Sequence, residues 1–327
     1  METKRLTVPA AEEILGGYFP VLDHGFVSLV DYMGSDESIE GAARVSYGAG
    51  TRKVSQTRGL IRYLRRHHHT TPSEMVELKF HCAMPMFVAR QWIRHRTASV
   101  TEYSGRYSLM PLLFYKPAPG NFARQSEGNM QGREAGAAPD SLYREALERW
   151  ERSRKVASGD YAWLVGEDVA RELARIDLPL STYTQWYWKI DLHNLFHFLT
   201  LRAAPNAQWE IQEFARVMAG MLKRVAPISF EAWLDYNFCA EPFSRRELEA
   251  LALLLEPGED GIRVRPGAGH VSLEELKGLG LSPREIQELR EKLQPRRVPD
   301  FELDLRRMRT AEDVEREMYR AVPGAFE

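Results

Sequence analysis

Cysteine is nearly missing from this chain: Cys82 and Cys239 are the only two thiols in 327 residues. Two cysteines exclude a disulfide framework and a cysteine-rich metal site. No stretch approaches the ~20 consecutive apolar residues that a membrane helix needs. Met1 to Gly17 lacks the apolar core of a secretory signal. A glycine-rich strand–turn–helix fingerprint is absent, so no dinucleotide is expected in the Rossmann manner. Walker loops and Gly-x-Ser-x-Gly elbows are absent too. Neither charge sign dominates: 44 Lys and Arg face 46 Asp and Glu, a formal net charge of -2. That balance excludes polyanion binding through bulk charge, and any basic site has to be local. The expectation is a cytoplasmic globular protein with no membrane segment, no metal site and no nucleic-acid partner. Hydrophobic content of 44% and charged content of 28% are ordinary for such a chain, and its length fits one large domain or two.

The most informative stretch is Met86 to Ser108. Phe87, Val88 and Trp92 give its first half an apolar face, and Pro85 suits the position just before a helix. The second half, with Thr97, Ser99, Thr101, Ser104 and Gly105, reads as a polar loop. Arg94, His95, Arg96 and Arg106 accompany one carboxylate, Glu102. Arginine forks match phosphate or carboxylate, and Ser104–Gly105 lets backbone N–H groups approach an anion. A solvated basic turn at a helix end is the plain alternative.

Upstream, Gly25 to Gly50 reads as strand, turn and helix, and Thr57 to His67 as a second helix. Thr71-Pro72-Ser73-Glu74 has the pattern of a capping box with proline at the first helical position. On that reading Thr71 and Glu74 simply start a helix. Val76 to Met84 alternates like a strand. Residues 109–142 lack periodicity and read as a loop, a candidate flap over a substrate. Ser141 is placed to cap a long helix to about Leu164, and a further helix spans Glu167 to Ile176.

Leu195, Phe198 and Arg202 fall at i, i+3 and i+7, which puts Arg202 on an apolar stripe. A charge there faces desolvation unless an anion accompanies it or its stem snorkels outward. His193 and His197 lie four apart but lack the adjacent glutamate of a zinc-protease helix. From Glu241 the composition shifts to short helices rich in Arg, Glu and Leu. We expect a domain over residues 1–237 and an appended helical region over 238–327.

Arg94-His95-Arg96, then seven residues, then Ser104, Arg106 and Tyr107, resembles the signature of flavin-dependent thymidylate synthases. The likeness extends over roughly residues 25–237. It implies an α+β fold, a mixed or antiparallel sheet flanked by helices. It also implies reductive methylation of dUMP to dTMP in a homotetramer whose sites lie between subunits. FAD would be the cofactor, with NADPH and methylenetetrahydrofolate as co-substrates. Nucleotide contacts would map to Gln91, Arg94, Glu102, Tyr103, Ser104, Gly105, Arg106 and Arg175. Arg202 would favour ionisation of the uracil ring, replacing the cysteine nucleophile of ordinary thymidylate synthases. Flavin contacts would map to Ser46, Thr71, Arg94, His95, Arg96, Glu102, Asp191, His193 and His197. His69 and Glu74, in a His-x-Thr-Pro-x-Glu segment, become folate or nicotinamide candidates. Two positions depart from the pattern: Thr101 replaces an asparagine, and Asp191-x-His193 replaces Asn-x-Arg. The rival expectations are a flavin-dependent methyltransferase of RNA uracil and a nucleic-acid-binding protein stacking bases on Tyr103, Tyr107, Trp186 and Trp188.

Overall fold

The structure is a computed structural model that describes residues 5–45, 57–127 and 132–320. The strands are β1 (Tyr18–Val21), β2 (Gly25–Met33), β3 (Glu77–Pro85), β4 (Ser99–Glu102), β5 (Tyr183–Asp191), β6 (Leu255–Gly258) and β7 (Gly261–Val264). The helices begin with α1 (Pro9–Glu12), α2 (Asp36–Arg44), α3 (Thr57–Arg66), α4 (Thr71–Glu74), α5 (Met86–Trp92), α6 (Asp140–Gly166) and α7 (Arg171–Ala174). They continue with α8 (Leu192–Arg202), α9 (Trp209–Val225), α10 (Pro227–Trp233), α11 (Arg245–Ala252), α12 (Leu273–Gly278), α13 (Pro283–Lys292) and α14 (Ala311–Arg320). This is the expected α+β class.

Five strands form one antiparallel sheet in the order β1-β2-β3-β5-β4. On β5 the pattern has period two: Trp186, Trp188 and Ile190 are buried while Tyr187 between them is exposed. The buried row meets Trp92 of α5, whose ring lies 5.3 Å from both Trp186 and Trp188 and 5.0 Å from Phe198. Helix α9 adds Ile211, Phe214, Met218 and Leu222 to the same core, all fully buried. Trp92 therefore anchors the chain two residues before Arg94.

Four local expectations give way. Ser99–Glu102 is an edge strand on β5, not loop. All four residues are exposed, so no burial alternation marks it, and short polar strands suit a sheet edge. The capping box at Thr71 does not form: Thr70 is the N-cap, in helical geometry and without a side-chain cap, and Thr71 lies inside the helix. Pro139, not Ser141, sits at the start of α6. The helix expected over Glu167 to Ile176 shrinks to Arg171–Ala174, because Asp168 takes φ 56°, which a right-handed helix cannot continue.

The contacts divide the chain at a different place from 237/238. One unit runs to Trp233 and regains the chain from Asp300; the other is Leu234–Pro299. Phe301 returns to the first unit by packing 5.8 Å from the rings of Phe230 and Trp233. Val314 and Met318 of α14 pack on Phe26 and Ala83 of the sheet. The second unit has its own small core of Ala250, Leu276, Leu281, Ile286 and Leu289. It also carries the β6–β7 hairpin, so it is not purely helical. Among the described residues no helix is long and apolar enough to cross a membrane.

Candidate active site

Helix α5 ends at Trp92, and the backbone N–H of His95 closes the turn onto the Trp92 carbonyl at 2.9 Å. This turn directs His95 toward α8, where its ring meets the edge of Phe198 at 5.0 Å and lies 5.7 Å from His197. Arg202, on the apolar stripe of α8, donates from Nε to His95 Nε2 at 2.9 Å. The imidazole must accept there, so its proton is on Nδ1. Burial first, then the charges of Arg202 and His197, hold the His95 pKa down to about 4. Burial lowers the pKa of Arg202 as well. The result is a half-buried guanidinium oriented by a neutral partner, its charge uncompensated within the described residues.

A second cluster lies beyond β4. Gly105 is buried, and a Cβ there would come 3.0 Å from Arg175 Cδ and 2.6 Å from Met110 Sδ. Arg106 pairs with Glu172 at 2.8 Å, both groups being exposed. The expected backbone cradle is partly engaged: Arg106 N–H donates to Ser104 Oγ at 3.3 Å and Tyr107 N–H to the Ser104 carbonyl at 3.1 Å. Ser104 turns the loop on itself, which is the usual competition of serine with other acceptors. Glu102, opposite Trp186 on β5, accepts from Thr184 Oγ1 at 2.7 Å. Tyr103 donates its backbone N–H to the Gln185 carbonyl at 2.8 Å and its hydroxyl to the Leu109 carbonyl.

The remaining candidates occupy a third region. His69 and Thr71 line a cavity of about 1010 Å³ with Tyr63, His68 and Met75. Glu74 ends the short helix α4, which packs on α8. Asp191 is the N-cap of α8, accepting from the backbone N–H of Asn194 at 2.9 Å and its side-chain amide at 2.7 Å. That task explains how an acid is accommodated where the family pattern has an amide. His193 Nδ1 is buried without a hydrogen-bond partner among the described residues. Ser46 lies outside the described residues.

Arg94, Arg96, Arg175 and Arg202 make no ion pair among the described residues, although the chain is net acidic. Among the described residues, no hydrogen bond or ion pair joins the His95–Arg202 pair to the Arg106–Glu172 pair. Gln91 donates to the amide oxygen of Gln208, a contact the sequence did not single out. Arg65 was missed as well. Its guanidinium lies 4.1 Å from the Phe196 ring centroid with Nη2 buried and unpartnered, and burial lowers its pKa to about 10. The signal was available, since Arg65 stands four residues after buried Ile61, the same stripe argument that selects Arg202.

Comparison with known proteins adds a family. Residues 28–228 match the model of the family described as "Thymidylate synthase complementing protein". A protein of Gluconobacter oxydans named flavin-dependent thymidylate synthase is 52% identical over 252 residues, 76% of this chain and 83% of its own. One of Rickettsia bellii with the same name is 48% identical over 265 residues, 77% of this chain and 90% of its own. Among solved structures, the UMP/dUMP methylase PolB of Streptomyces cacaoi, bound with 5-Br dUMP, superposes with a TM-score of 0.61 at 32% identity. That match covers 67% of this chain and 98% of PolB.

Proposed function

The chain belongs to the family of flavin-dependent thymidylate synthases, and from that premise we propose how its residues divide the conversion of dUMP to dTMP. The reaction takes one carbon from methylenetetrahydrofolate and a hydride from FAD reduced by NADPH. The observation that carries the reading is the Arg202 guanidinium held by neutral His95 with no carboxylate partner among the described residues. Such a group stabilises negative charge on the uracil ring, making C5 nucleophilic. No thiolate is required. Cys82 is fully buried in β3, and desolvation raises its pKa well above the ordinary thiol value.

FAD fits the residues present. Its phosphates are anionic, and the unpaired cations Arg94 and Arg96 suit them. The buried, unpartnered Nδ1 of His193 and the cavity at His69 and Thr71 supply further polar contacts. His95, His197, Glu102 and Asp191 complete the set taken from the family pattern. When bound, the flavin supplies the redox chemistry, while the protein contributes positioning and charge. Arg106, Arg175 and the Ser104–Gly105 turn, with Gln91 and Tyr103, receive the nucleotide. His69 and Glu74 face the folate or nicotinamide.

The site is completed between subunits of a homotetramer in the cytoplasm. Its supports are the exposure of Arg94 and Arg96, which make no ion pair among the described residues, and the family pattern of sites shared between subunits. The test is a yellow preparation whose absorbance NADPH bleaches and which releases tritium from 5-labelled dUMP only with methylenetetrahydrofolate present. A colourless protein with no tritium release contradicts the assignment.

A further inference from the structure

Gln91 is one link in a chain of side chains that begins at a buried carboxylate. Glu210, in the first turn of α9, is only 3% exposed. Its carboxylate accepts two bonds from Arg133 Nη2, both at 2.8 Å, one from the Tyr115 hydroxyl at 3.1 Å and one from Gln208 Nε2 at 2.8 Å. An ionised carboxylate only accepts. Gln208 must therefore present its NH2 to Glu210 and its carbonyl oxygen to the other side. There it accepts from the Gln91 Nε2. Gln91 in turn has its NH2 drawn toward Gln208 and its carbonyl oxygen left for a ligand.

We propose that Glu210 is a positioning residue for the nucleotide: through Gln208 it fixes the hydrogen-bond polarity of Gln91, so that Gln91 Oε1 is presented to a donor on dUMP, a sugar hydroxyl. An amide can otherwise sit in either of two nearly isosteric orientations. Only an obligate acceptor at the head of the relay removes that choice. Arg133 neutralises Glu210 and thereby keeps its carboxylate ionised and accept-only. The proposal rests on Gln91 touching the nucleotide, as set out above.

The test compares Glu210→Gln, Gln208→Met and Arg133→Met for dUMP turnover and thermal melting, with Gln91→Ala as the control for the premise. Glu210→Gln keeps shape but loses the obligate acceptor, and Gln208→Met cuts the relay while leaving Glu210 paired. Both are expected to raise KM for dUMP about tenfold with kcat within about twofold and flavin content unchanged. Arg133→Met is expected to lower the melting temperature and to leave KM for dUMP unchanged at a pH high enough to keep Glu210 ionised. A merely structural role for the cluster would make KM follow the melting temperature across all three variants, and that result overturns the proposal. Unchanged KM in Gln208→Met, with a raised KM in Gln91→Ala, overturns it while sparing the site assignment. Unchanged KM in Gln91→Ala overturns it by removing its premise.

Discussion

Replacing Arg202 by alanine removes a charge whose worth follows from its setting. A guanidinium about 4 Å from a uracil anion, at an effective dielectric of about 20, contributes roughly 4 kcal/mol. Arg202 is half-buried, and its partner among the described residues, His95, is neutral, so no described carboxylate diverts that interaction. The guanidinium's own desolvation, visible in its lowered pKa, reduces the gain to about 2–4 kcal/mol. Arg202→Ala should then lose about 30- to 1000-fold in kcat. Flavin content, read from absorbance, should stay near that of the parent. A second signature separates charge stabilisation from simple damage. Without the guanidinium the ring N–H must ionise unaided, so the residual rate should climb with pH above neutrality while that of the parent stays level. Arg202→Lys keeps the charge, loses the planar fork, and should fall between the two. An Arg202→Ala enzyme that turns over within about threefold of the parent, or whose deficit does not change with pH, refutes the role.

Three further outcomes follow from the same geometry. Gly105→Ala puts a methyl group 3.0 Å from Arg175 Cδ, so dUMP should bind at least ~10-fold more weakly by isothermal titration, a loss of about 1.4 kcal/mol; unchanged affinity would separate Arg175 from the nucleotide. Asp191→Asn preserves an effective N-cap and should hold stability within ~0.5 kcal/mol in urea, whereas Asp191→Ala should lose about 1 kcal/mol; equal losses would mean the carboxylate is not acting as a cap. Because His95 has its pKa lowered from 6.5 to about 4 in the fold, the unfolded chain binds more protons between those values. Folding stability therefore rises with pH from about 4 to 6.5 and levels off above. His95→Asn should flatten part of that slope in melting curves, and an unaltered slope would contradict a buried neutral imidazole.

Much of the site was legible because burial writes itself into spacing. The row Leu195, Phe198, Arg202 announced a cation on an apolar face, and the structure gives it a neutral partner there. Pro85 marks the start of α5, since proline geometry acts locally, and Trp92 falls on its buried face as its apolar ring suggests. Ser99–Glu102 reads as loop in the sequence because an exposed edge strand has no buried face to generate alternation. Thr71 was misplaced by one residue, a matter of where the chain enters α4 rather than of composition. The return of Asp300 onward to the first unit depends on Phe301, Val314 and Met318 finding partners nearly 300 residues away in sequence at the far extreme, which no local pattern encodes. The relay from Glu210 to Gln91 was equally hidden, because hydrogen-bond polarity passes through contacts and not through periodicity.

The central claim, that the arginine clusters of two regions serve one uracil nucleotide, is tested most directly by subunit mixing. Arg202→Ala and Arg106→Ala proteins, each nearly inactive, are unfolded together, refolded and assayed for tritium release from 5-labelled dUMP. Sites shared between subunits regenerate one intact site in every mixed pair, so activity should recover to about a quarter of the parent's. Recovery no greater than the sum of the two separate variants would contradict a nucleotide held between them.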